Sequence, residues 1–182
     1  MKTSRRIAAV IAGAALVCSM AVSASASDGG KTNFSLYVPN DPTYEITVPA
    51  TVNISAKEAT NIPITASNVD YIPANKKVSV TLANGCGVYG RLYLQAKNPN
   101  GGNDYLMTLD VKGTDGEWKT GAVENQIKGM ELASFTANGS KDYQIKPCAL
   151  DYPGATNQNL VIQKGAKYTG YVTYGVSLTD KA

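Results

Sequence analysis

The chain of 182 residues contains no histidine, only three cysteines, two Phe and one Trp. Without an imidazole, a Ser-His-Asp or Cys-His arrangement, a histidine general base and a His-ligated metal are all excluded. No Gly-rich phosphate loop and no Cys-x-x-Cys pair is present. Long hydrophobic runs are also missing: the longest, residues 7–17, has 11 residues, against the roughly 20 that span a bilayer. The formal net charge of +3 is carried entirely by Lys2, Arg5 and Arg6. Beyond them, the remaining Lys and Arg balance the 14 Asp and Glu. A formally neutral domain has no basic surplus for nucleic acid or anionic lipid, so no nucleic-acid partner is expected.

Residues 1–26 have the three parts of an export signal. A basic start with Lys2, Arg5 and Arg6 leads into the apolar stretch, and small residues ending Ala24-Ser25-Ala26 offer a cleavage site. Cleavage is predicted after Ala26, with Ala24 as a second candidate. Cys18 follows bulky Val17, so it reads as part of the signal rather than as a lipid attachment point. The mature domain is then residues 27–182, a secreted or extracellular chain long enough for one domain with a sizeable core. It has no membrane-length run, no hydrophobic C-terminal tail and no LPxTG signal. Association with a cell wall would therefore need no covalent anchor.

What is present is alternation. Tyr44, Ile46, Val48, Ala50, Val52 and Ile54 alternate with polar neighbours, and Tyr168, Gly170, Val172, Tyr174, Val176 and Leu178 do so near the end. Period two marks strands with one face on a core and one in water. Pro49 lacks a ladder donor and predicts an edge or a break between two strands. Ile62 and Ile64, Val78 to Leu82, Val88 to Leu94, and Met107 to Val111 extend the pattern. Asn84-Gly85, Asn98-Pro99-Asn100-Gly101-Gly102-Asn103, Thr114-Asp115-Gly116 and Asn138-Gly139-Ser140 read as turns. Ala122, Val123, Ile127 and Met130 approach helical spacing, but Gly121 and Gly129 limit this stretch to at most one short helix. The expected fold is all-β, a single antiparallel β-sandwich.

Two segments carry a resemblance. The run Tyr44-Glu-Ile-Thr-Val-Pro-Ala-Thr-Val-Asn-Ile-Ser resembles the opening strand of immunoglobulin-like modules in Gram-positive surface proteins. The run Gly165-Ala-Lys-Tyr-Thr-Gly-Tyr-Val-Thr-Tyr-Gly-Val-Ser-Leu resembles their closing strand, and similar strands occur in WxL-type wall proteins and fimbrial subunits. The WxL signature itself is absent, because Trp118 is not followed by Xaa-Leu. The resemblance implies an immunoglobulin-like surface module of a Gram-positive bacterium, and it transfers no functional residue.

Among side chains with chemistry, Cys86 and Cys148 are the two mature cysteines. In an oxidising compartment they are a candidate disulfide closing a loop of about 62 residues, worth roughly 4 kcal/mol in the chain-entropy model. Carboxylate pairs such as Asp104 with Asp110, or Glu117 with Glu124, are the only conceivable hydrolytic groups, and scattered acids ordinarily solvate loops. Asn98, Asn100, Asn103 and Asp104 could offer oxygens to calcium, yet they make a good hydrophilic turn and lack EF-hand spacing. No metal or cofactor is expected.

Tyrosine is abundant, with 11 residues. Tyr89, Arg91 and Tyr93 share one strand face, and Tyr171 lies on the wetter side of the last run. Such rings can stack on sugars or anchor a protein. Residues 31–38 alternate Phe34, Leu36 and Val38 with polar positions. That segment can be the first strand of its own sheet or can complete a neighbour's. The expectation is a non-enzymatic adhesion module or surface-structure subunit, with a protein or glycan partner or self-assembly. The alternative is a carbohydrate-binding module using Tyr89, Arg91 and Tyr93. If Cys86 and Cys148 pair, the intact mass of the secreted protein rises by about two hydrogens on reduction; an unchanged mass would show two free thiols.

Overall fold

A computed structural model describes residues 4–7, 40–85, 91–102, 104–123, 125–148 and 165–181. Its strands are β1 (Ser4–Ile7), β2 (Thr43–Pro49), β3 (Thr60–Asp70), β4 (Lys76–Gly85) and β5 (Tyr93–Ala96). They continue with β6 (Tyr105–Lys112), β7 (Trp118–Thr120), β8 (Glu131–Phe135), β9 (Gly139–Pro147) and β10 (Val172–Asp180). The larger sheet runs β1-β2-β3-β9-β6-β5, with β7 also paired to β6, and the smaller runs β10-β4-β8. Every pairing is antiparallel. The protein is an all-β sandwich, as the alternation predicts.

The inward residues of the two sheets make one core. Tyr44, Ile46 and Val48 of β2, Ile62, Ile64 and Ala66 of β3, and Leu109 and Val111 of β6 face Val78, Val80 and Leu82 of β4. The three β4 side chains are fully buried. Each such aliphatic group contributes about 1.5–3 kcal/mol by leaving water. Polar neighbours such as Thr47 and Thr65 take the other face.

Pro49 behaves as the sequence suggests. The last β2–β3 pair is Thr47 with Thr65. Two residues further on, the same register would set Pro49 against Pro63, neither of which has an N–H. The ladder stops there, and residues 51–59 continue outside regular structure, with Val52 and Ile54 still packed on the core.

The helix allowed between Ala122 and Met130 does not form among the described residues; turns take its place. Gly129 adopts φ 80°, and its N–H donates to the Leu82 carbonyl at 2.8 Å. Leu82 in turn donates to the Met130 carbonyl at 3.0 Å. These bonds extend the β4–β8 pairing and bury Ile127 and Met130, a gain that a helix interrupted by two glycines cannot match.

β1 lies within residues 1–26. Loss of that segment by cleavage after Ala26 would leave β2 at the margin of the larger sheet.

Between the sheets, the hydroxyls of Tyr143 (β9) and Tyr174 (β10) lie 2.7 Å apart, with rings edge-to-face at 6.3 Å. Burial pushes both phenols above their ordinary pKa, so both stay protonated. Replacing Tyr174 by Phe leaves the buried Tyr143 hydroxyl without its partner and is expected to cost about 1–3 kcal/mol. The double Phe variant should cost less than the sum of the two single changes, because no orphaned hydroxyl remains. Urea unfolding midpoints of the three variants test this, and strict additivity would disprove the coupling.

Candidate functional site

Of the residues singled out in the sequence, Tyr89 and Cys86 lie outside the described residues, so neither the three-residue tyrosine face nor the cysteine pair can be laid out in full. Leu92 is buried, while Arg91, Tyr93 and Leu94 are all half-buried. Tyr93 opens β5 opposite Thr108 of β6. Cys148 follows β9 with its sulfur 3.5 Å from the Thr120 hydroxyl. Tyr171 stands 65% exposed just before β10, on the wet side predicted for it.

Asn98 and Asp104 are occupied by the fold, whereas one carboxylate oxygen of Asp110 is buried without a hydrogen-bond partner among the described residues. The Asn98 side-chain oxygen accepts from the Asn100 N–H at 3.0 Å and the Tyr105 hydroxyl at 3.2 Å. Asp104 accepts from Gln95 at 2.8 Å. These oxygens shape the loop around residues 98–104 as a hydrophilic turn. Asn103 is outside the described residues. Asp104 and Asp110 are six residues apart along the extended β6 chain, roughly 20 Å, whereas paired glycosidase carboxyls lie within about 10 Å. Glu124 is outside the described residues. Among the described residues no cluster of three or more Cys, Asp and Glu side chains could hold a metal, and no helix is long and apolar enough to cross a membrane. Trp118 is covered by ammonium groups: Lys146 stands 4.3 Å and Lys112 6.0 Å from its ring.

The strongest electrostatic feature is Glu131, at the start of β8, which sequence reasoning did not single out. Its carboxylate accepts from Ser79 at 2.7 Å, Lys77 at 3.1 Å and Thr114 at 3.2 Å. Gly113 permits this approach, because a Cβ there would collide with the Glu131 carbonyl oxygen. Burial alone would raise the carboxyl pKa, but the hydrogen bonds from Ser79, Lys77 and Thr114 and the Lys77 charge outweigh it and hold it below its ordinary value. Ser79 is buried and spends its hydroxyl on Glu131, so no substrate carbonyl can reach it as a nucleophile. The cluster ties β4, β8 and the β6–β7 turn together.

The most open feature is β10. Among the described residues it pairs with β4 alone, over Val172 to Asp180. Its inward residues Val172, Tyr174, Val176 and Leu178 are only partly buried, whereas the facing β4 residues are sealed. The strand contains no proline and one charge, Asp180. A long, nearly neutral edge with unpaired backbone groups is a template for another strand.

Comparison with known protein families, curated proteins and solved structures found no match.

The Glu131 cluster generates a pH prediction. A carboxylate whose folded pKa is depressed stabilises the fold above its unfolded value of about 4.3, and that contribution is lost as pH falls through the folded pKa. The urea midpoint should therefore drop more between pH 6 and pH 3 in the wild type than in Glu131→Gln. Parallel pH curves for the two proteins would overturn the assignment.

Proposed function

We propose that the protein is a secreted, non-enzymatic β-sandwich that works at the cell surface, as a subunit of a surface structure or as an adhesion module. One observation carries this reading: the nine-residue β10 edge, with a half-covered apolar inner face and β4 as its partner among the described residues. Strand addition to such an edge supplies backbone hydrogen bonds for affinity and side-chain pockets for register. Residues 31–38, with Phe34, Leu36 and Val38 on one face, have the matching alternation. The hydrogen-bonded Glu131 carboxylate, the absence of histidine and the shielded Ser79 support a binding role over catalysis.

Light scattering of residues 27–182 across a concentration series tests assembly. The expected result is growth into oligomers, abolished by deletion of residues 27–38 while circular dichroism still reports a folded sandwich. A monomer at every concentration would reject the subunit reading in favour of adhesion. Loss of folding on deletion would assign residues 31–38 to the protein's own sheet.

A further inference from the structure

We propose that one end of the sandwich, built by the β3–β4 and β8–β9 turns, is a binding site for an anionic sugar polymer. A cavity of about 300 Å³ opens there, lined by Lys77, Lys141 and Lys181 with the hydroxyls of Ser134, Thr136 and Ser140, and no carboxylate belongs to its wall. The three lysines are held by their surroundings. Lys181 Nζ donates to the Ala74 carbonyl at 2.7 Å, Lys77 Nζ lies 3.0 Å from Glu131, and Lys141 Nζ sits 5.7 Å from the Phe135 ring. Glu131 neutralises Lys77. Among the described residues, Lys141 and Lys181 have no carboxylate within ion-pair distance, so they supply the uncompensated positive charge.

A second, independent observation lies beside this cavity. Tyr71, in the β3–β4 turn, adopts φ 55° and is 61% exposed. A bulky residue in the left-handed region is strained, and strain that persists is characteristic of ligand-contact positions. Folding gains little from this ring, since most of its surface stays in water. The turn is nevertheless tied to the cavity wall on both sides of Tyr71. Val69 N–H donates to Asn138 Oδ1 at 2.8 Å, and Ala74 accepts from Lys181; both Asn138 and Lys181 line the cavity.

An exposed aromatic face, the two ammonium groups without a carboxylate partner and the hydroxyls of Ser134 and Thr136 match a sugar ring that carries a negative group. The third hydroxyl, Ser140, is already bonded to Ile64 and Thr65. The ring faces the hydrocarbon side of the sugar, the ammoniums meet a phosphate or carboxylate, and the hydroxyls meet its alcohols. A neutral mature domain disfavours nucleic acid, which rewards a wide basic surface. The site lies at the opposite end of β4 from Tyr93: Lys77 and Gly85 are eight residues apart along the strand, roughly 26 Å, and Gly85 packs against Leu92. It is also separate from strand addition at β10, so a monomer that binds acidic polymer would reject assembly and keep this site.

Calorimetry of the secreted protein with phosphorylated dextran, polygalacturonate, neutral dextran and duplex DNA tests the proposal at low and high salt. Binding is expected to one or both acidic sugar polymers, identifying phosphate or carboxylate as the charged group, and to weaken with salt. Lys141→Gln and Lys181→Gln should each weaken it about two- to fivefold. Tyr71→Gly should weaken it about two- to tenfold while the melting temperature holds or rises, because glycine relieves the left-handed strain. The proposal is overturned if neither acidic polymer binds, if dextran or DNA binds equally well, or if the three variants bind as the wild type does.

Discussion

Tyr143 and Tyr174 bring their hydroxyls to 2.7 Å across the space between the sheets, and the pairing of those sheets depends on that contact. Among the described residues Tyr143 is the largest fully buried side chain. Burying a phenol there without a partner for its oxygen costs free energy, and the partner comes from the other sheet. Aliphatic packing alone tolerates sliding, whereas a hydroxyl pair has one separation and a narrow range of angles. The contact also fixes β10, an edge strand of the smaller sheet, relative to β9 in the middle of the larger sheet. The exposed β10 edge is thus presented by a rigid support.

The charges follow a similar economy. Glu131 gathers Ser79 and Lys77 of β4 and Thr114 of the β6–β7 turn, and Lys76 pairs with Asp180 at 2.7 Å where β4 begins and β10 ends. Lys119 pairs likewise with Asp115, whereas Lys141 and Lys181, beside the strained Tyr71 turn, have no carboxylate partner among the described residues. Structural and interaction roles share one end of the molecule: Asp180 and Glu131 hold Lys76 and Lys77, and the ammoniums of Lys141 and Lys181 stand nearby.

The clearest sequence signals belonged to β2, β4, β6 and β10, where Val, Ile, Leu and Tyr recur at every second position. The β8 and β9 strands escaped that reading. β8 has five residues with a bulge opposite Val80 and Thr81, which spoils the alternation. The first four residues of β9 are all exposed, and only Tyr143 and Ile145 turn inward. β7, with three half-buried residues, contains no period at all. Tyr71 escaped attention for another reason: left-handed backbone at a non-glycine residue leaves no mark in composition or spacing.

By itself the sequence determined that the protein is all-β, that its catalytic repertoire excludes histidine chemistry, and that its charge balances beyond the first six residues. Each of these depends on residue type or on a period of two, both local properties. Tertiary structure alone decided which strands are neighbours, that Glu131 is the hub of a hydrogen-bonded cluster, and that Lys77, Lys141 and Lys181 meet around one cavity. Those three lysines are separated pairwise by 40 to 104 positions in the chain. They converge only because backbone pairing and the burial of two inner faces fold distant strands onto one core, and no local pattern records that convergence.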